Sequence, residues 1–225
     1  MITHHPKFEL IQSFVNGDLP ASISAGIAIH AEMCSKCRDQ IAQLTDHVAE
    51  VSFEDTASST HAAYDNSNTA LLNVDDMIAN ITQSDEIFEA TPQAQQTVEF
   101  SEKSFVLPKA LNNMELGKTA SIGPLSRARI LLDEDEIRAS LLRMEPGGSV
   151  PEHTHKGFEL TLLLDGSFDD ENGKYVKGDF IVLDGSHQHH PISEEGCICY
   201  TVANDALHFT QGINKLLNPI GSFIY

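Results

Sequence analysis

Two groups of side chains in this sequence have the types and the spacing to hold a metal ion. The first is in "HAEMCSKC", residues 30–37. His30, Cys34 and Cys37 follow one another at i, i+4 and i+7, positions that share a face on a continuous helix. Two thiolates and an imidazole suit zinc, which takes four ligands in a tetrahedron. The fourth ligand must come from a neighbouring element, and "HHPK" at residues 4–7 offers His4 and His5, between which spacing does not choose. A Cys-x-x-Cys pair could also be a redox couple, but no βαβ pattern surrounds it, and two cysteines on an apolar face could be plain core. The histidine four residues upstream favours the metal over both.

The second group lies in "GGSVPEHTHKGFELTLLLDG", residues 147–166. Gly147 is followed after five residues by His153-x-His155, after three more by Glu159 and after six more by Gly166. His153, His155 and Glu159 have the same parity, so on a continuous strand they point to one face, and the wall of a β-barrel puts that face inside. The spacing is that of the first cupin motif. The second motif is carried by "GDFIVLDGSHQHHP", residues 178–191, where His189 is the expected ligand, while Asp184 and Ser186 replace the usual Pro and Gly, and Ser193 the usual Asn. His187 has the same parity and is the reserve candidate; His190 is expected to face outward. Three imidazoles and a carboxylate suit Zn, Mn, Fe or Ni. On tetrahedral zinc the four would close the shell, whereas an octahedral ion would keep two open positions fit for oxygen chemistry.

Cys197 and Cys199, in "EGCICY", should face one side of a strand. Packing is the preferred reading over a redox pair, and a disulfide at i, i+2 would be strained. His47, His61 and His208 have no companions in sequence and read as ordinary side chains.

The elements that must position these groups change character along the chain. Leu10, Ile11, Phe14 and Val15 form one apolar stripe of a helix that Gly17 and Pro20 stop. From Ser22 to Val51, apolar residues and the candidate ligands recur at steps of three and four, which predicts one long helix. Residues 52–68 are small and polar and read as linker. A short amphipathic helix is expected over Thr69–Gln83, with Leu71, Leu72, Met77, Ile78 and Ile81 on its apolar face. After about Phe105, short β-type runs alternate with Gly, Pro and Asp, the pattern of an antiparallel barrel or sandwich.

Over 225 residues the formal net charge is −19 and 41% of residues are hydrophobic. Such a chain can bury a core, repels phosphate backbones and so disfavours direct nucleic-acid binding, and suits a basic protein partner. The start lacks the order of a signal peptide and no apolar run is long enough to span a membrane, so a reducing cytoplasm is expected.

The helical His-x-x-x-Cys-x-x-Cys preceded by an amino-terminal histidine resembles the zinc-binding anti-sigma domain. Joined to the cupin motifs, it resembles the ChrR-type anti-sigma factors, whose cupins also set the ligand histidine two residues before a proline, as His189 stands to Pro191. The resemblance implies an α+β chain of two domains: a zinc-binding helical bundle over 1–85, a linker over 86–104, and a cupin, or double-stranded β-helix, over 105–225. It implies His5, His30, Cys34 and Cys37 as the zinc ligands, and His153, His155, Glu159 and His189 as ligands of Zn, or of Mn, Fe or Ni. It implies a non-enzymatic function, the sequestering of an extracytoplasmic-function sigma factor and its release on an oxidative signal resembling singlet oxygen. The alternative reading is a cupin dioxygenase with a helical accessory domain.

Overall fold

The structure, a computed structural model, describes residues 1–58, 74–83, 94–100, 103–205 and 208–209. His61, Leu71, Leu72, most of the stretch 52–68 and the last sixteen residues lie outside the described residues. Four helices come first: α1 (Phe8–Asn16), α2 (Ala21–Met33), α3 (Ser35–Ser58) and α4 (Val74–Thr82). Gly17 ends α1 in the left-handed conformation at φ 77°, its N–H donating to the Phe14 carbonyl and that of Asp18 to the Ser13 carbonyl. This is the Schellman closure that glycine makes without a Cβ penalty.

The strands follow as β1 (Thr97–Phe100), β2 (Lys103–Val106), β3 (Ala120–Ile122), β4 (Leu125–Ile130), β5 (Arg138–Met144), β6 (Gly148–Ser149) and β7 (His153–Thr154). They continue as β8 (Phe158–Asp170), β9 (Gly173–Val176), β10 (Phe180–Asp184), β11 (Gln188–His189), β12 (Ile192–Ser193), β13 (Cys197–Ala203) and β14 (His208–Phe209). The main sheet runs β3-β4-β5-β13-β8-β12-β6, with β9 and β10 also paired to β8, and a small sheet runs β11-β7-β14. Every pairing is antiparallel. Among the described residues this is a curled, cupin-like sheet preceded in the sequence by four helices.

Two expectations change. The long helix over Ser22–Val51 is two helices, broken at Cys34, whose backbone is extended (φ −117°, ψ 103°), and α3 runs on to Ser58 into the stretch read as linker. On one straight helix, i and i+7 are about 10.5 Å apart along the axis. Cysteine is too short to close that gap, so a shared site needs the break. Strand β1 and the start of β2 occupy the interval 86–104 expected as linker; the buried side chains of Val98 and Phe100 show the period-two alternation.

The chain forms two compact units, Met1–Asp46 with Gln95–Tyr225, and His47–Ala94. In the first, β8 and β13 separate two packed layers. Leu160, Leu162, Ile198, Tyr200 and Val202 join one core with Ala25, Ile27 and Ile29 of α2. Leu163, Cys197 and Cys199 point the other way, into a second core with Met144, Phe168 and Tyr175. Gly26 allows α2 to lie close: a Cβ there would stand 3.3 Å from Tyr200 Cε1 and 3.5 Å from Leu160 Cδ2. The Tyr200 hydroxyl donates to the Ser22 carbonyl at 2.6 Å. In the second unit, Met77, Ile78 and Ile81 of α4 are exposed. No described helix is long and apolar enough to cross a membrane.

Candidate metal centres

His30 comes from the last turn of α2, Cys34 from the break and Cys37 from the first turn of α3, while His5 comes from the extended segment before α1. Their donor atoms form the corners of a small tetrahedron. His5 Nδ1 is 3.4 Å from His30 Nε2 and 3.5 Å from each of the Cys34 and Cys37 Sγ atoms, and His30 Nε2 is 3.3 Å from Cys37 Sγ. Zn–N near 2.0 Å and Zn–S near 2.3 Å at tetrahedral angles give edges of about 3.3–3.8 Å. The spacing therefore fits one ion at the centre.

His30 and both cysteines are buried and His5 is half-buried. His30 Nδ1 lies 2.8 Å from the Gly178 carbonyl, which leaves Nε2 free to face an ion. Burial lowers the His30 pKa, partly offset by that carbonyl, so the imidazole is neutral at pH 7 as a ligand must be. Burial, and then the adjacent Cys34 thiol, push Cys37 up to about 11. His4 stands outside the cluster: its ring packs on Tyr175 with centroids 4.9 Å apart.

The second cluster is built by register. His153 on β7 is the direct cross-strand partner of His189 on β11, and Glu159 near the start of β8 pairs with Leu183 and Ala203. The expected continuous strand through the motif is interrupted between Thr154 and Phe158. The chain turns there against Asn204, whose side-chain oxygen accepts the Phe158 N–H at 2.8 Å and would collide with any Cβ at Gly157. The three side chains still converge. Glu159 Oε2 is 3.0 Å from His155 Nε2 and 3.6 Å from His189 Nε2, and those two nitrogens are 3.5 Å apart. Edges of 3.0–3.6 Å fit tetrahedral and octahedral ions alike.

His153 Nδ1 is tied to the Pro151 carbonyl at 2.8 Å. Burial, and then the neighbouring His189, lower His153 to about 4. Burial opposes ionisation of Glu159, but His155 beside it outweighs this and holds the carboxyl at about 2. The result is a neutral imidazole and an ionised carboxylate facing one point, which is a cation's requirement. A narrow cleft opens onto His153, Glu159 and His189, walled by Leu142, Met144, Val150, Phe168 and Cys199.

The reserve candidate His187 is not in the cluster. Its Nδ1 lies 2.9 Å from Asp184 Oδ1, in a turn where Asp184 also accepts the Ser186 N–H at 3.0 Å. Asp184 and Ser186 thus make with side chains the turn that Pro and Gly would make with backbone. His190 is half-buried, its N–H donating to Glu171. His47 is exposed. Cys197 and Cys199 are both buried with their sulfurs 3.9 Å apart, and Cys199 alone lines the cleft.

Sequence reasoning missed Asp170, whose buried carboxylate stands 3.4 Å from His189 Nδ1. Asp179 is not foreseen either, and Gly178 reads only as the opening glycine of the second motif, not as a partner of His30. Asp170 is part of the next polar turn, "DDENG", residues 169–173, and nothing in its spacing relates it to His189.

Residues 114–206 match the family of the ChrR cupin-like domain. Over 220 residues, 97% of each chain, the sequence is 28% identical to the anti-sigma-E factor ChrR of Cereibacter sphaeroides. The fold is similar to that of ChrR in the crystal structure of Rhodobacter sphaeroides SigE in complex with the anti-sigma ChrR, at TM-score 0.64 and 25% identity, covering 90% of this chain and 100% of that one. Residues 114–206 therefore match a ChrR cupin-like domain, and the chain that carries it is similar along nearly its whole length to ChrR.

Proposed function

We propose that this chain is a cytoplasmic anti-sigma factor, a regulator and not an enzyme, that sequesters an extracytoplasmic-function sigma factor. The observation that carries the reading is the tetrahedron of His5, His30, Cys34 and Cys37 at the head of a chain alike to ChrR over 97% of its length. Zinc is the ion the donor set favours there, and with four protein ligands its role is structural, its binding energy being part of the folding energy. The sigma-binding region lies within residues 1–85 and the cupin within 105–225, with strand β1 and the start of β2 in the interval between them. His153, His155, Glu159 and His189 hold Zn, Mn, Fe or Ni, and the cupin senses an oxidative signal of the singlet-oxygen kind. With a formal charge of −19 the chain binds a basic protein surface rather than nucleic acid.

The test is co-expression with a candidate sigma factor, followed by copurification and an in vitro transcription assay. The parent chain should form a one-to-one complex that blocks transcription, and Cys34→Ser or Cys37→Ser should lose zinc and inhibition together. A zinc-free variant that still inhibits would refute the role given to the tetrahedron.

A further inference from the structure

The supports of the His2Cys2 cluster are not all helical. Asp179, between β9 and β10, is fully covered, and its Oδ1 accepts the backbone N–H groups of Thr3 at 2.7 Å and His4 at 2.9 Å. Its Oδ2 accepts the Val176 N–H at 2.9 Å. The next residue, Phe180, donates its N–H to the His4 carbonyl at 3.0 Å, and the preceding one, Gly178, offers its carbonyl to His30 Nδ1 at 2.8 Å. Gly178 has φ 94°, and the Ile2 side chain occupies the place a Cβ would take, 2.4 Å from its built position. Residues 2–4 are thus gripped from both sides by three consecutive barrel residues, and His5, a corner of the tetrahedron, follows directly. A buried carboxylate that gathers three backbone donors holds them firmly, because each bond is charge-assisted and leaving any of them unmade would strand a buried group.

We infer that the barrel turn Val176–Phe180 is the outer support of the His2Cys2 centre, with Asp179 as its positioning residue: the carboxylate fixes the segment that carries His5, and the Gly178 carbonyl fixes the ring of His30. The inference rests on the reading that these four side chains hold a metal. The helical centre is then completed by the barrel, not by the helices alone. A carbonyl on the far nitrogen of a ligating histidine sets which nitrogen faces the metal, and removal of such supports costs about 10–100-fold in metal affinity.

The probe is Co(II) added to the full chain. The His2Cys2 set has two thiolates and the barrel set none, so a thiolate-to-cobalt charge-transfer band reports the helical centre alone. Chelator competition on that band should show Asp179→Ala binding Co(II) about tenfold or more weaker than the parent. Hydrogen exchange should quicken at the Thr3 and His4 amides, and Asp179→Asn, which keeps an oxygen for those amides, should recover part of the loss. Thr3→Pro removes one of the donors from an exposed position without touching the barrel, and should weaken Co(II) in the same direction even if Asp179→Ala fails to fold. An Asp179→Ala chain with faster exchange at both amides but Co(II) affinity within about threefold of the parent overturns the inference, as does an unchanged Thr3→Pro chain where Asp179→Ala does not fold. A parent chain with no charge-transfer band instead overturns the underlying metal reading.

Discussion

At the residue scale the chemistry of the helical centre turns on the protons its ligands must give up. With Cys37 pushed up to about 11, first by burial and then by the Cys34 thiol, its sulfur is protonated through the neutral range when no metal is bound. A metal takes the thiolate, so binding expels that proton. The sign follows: apparent affinity falls in acid and rises with pH, by about tenfold per unit for each proton released. Chelator competition at several values between about pH 6 and 8 should show this slope, and calorimetry in buffers of different ionisation heat should register the released proton. A pH-independent affinity would mean that Cys37 does not ligate as a thiolate. Cys199 sits differently: the hydrogen bond its thiol donates to Cys197, then burial, raise its pKa well above the ordinary thiol value. Its thiol is therefore a poor nucleophile at neutral pH, in keeping with a packing role on the wall of the cleft.

At the element scale, α2 packs against β8 and β13, and Gly26 sets its closeness. Gly26→Leu has to displace Tyr200, Leu160 and Phe180, all core residues, and should destabilise the chain by about 1–3 kcal/mol. Gly26→Ala should fall near zero in the same chemical denaturation, because about 1 kcal/mol of helix propensity offsets a contact tight by only a few tenths of an ångström. An equal loss in both variants would count against close packing as the reason for glycine. Much of this layer was legible. The motif residues fell into two clusters because ligand spacing is a strict pattern, and Gly17, Pro20 and the Gly–Asp turns mark real element ends. The break at Cys34 was not marked by Pro or Gly, yet the i to i+7 rise alone excludes a straight helix through a single metal site. The covering of β8 and β13 on both faces was also there to be read. "LTLLL" and "CICYTV" are nearly continuous apolar runs, where a strand with one wet face would alternate. The grip of Asp179 on Thr3 and His4 was not legible, because it joins backbone amides to a carboxylate some 175 positions away.

At the scale of the whole molecule, the two candidate centres share one compact unit and are joined by contacts. Asp170 stands beside His189 and close to the Tyr175 hydroxyl, Tyr175 packs on His4, and Asp179 and Gly178 hold His4 and His30. If the barrel is to release a bound sigma factor, magnitude constrains how. Moving a partner from 99% held to 99% free requires a differential of about 5.5 kcal/mol between two states. Loss of one support to a metal ligand, about 10–100-fold, supplies about 1.4–2.8 kcal/mol. No single contact suffices, so release must break several together: the Asp179 grip, the His30–Gly178 contact and the seat of α2 around Gly26 and Ser22. In a sigma-dependent reporter at limiting zinc, Asp179→Ala should therefore raise uninduced expression only in part. Combining it with Gly26→Leu should raise expression further, toward that of a strain lacking the protein, while Glu159→Ala, which disables the barrel centre, should keep inhibition and lose the response to oxidant. Full derepression by Asp179→Ala alone, with the chain still folded, would show that one latch rather than a docked face sets the equilibrium.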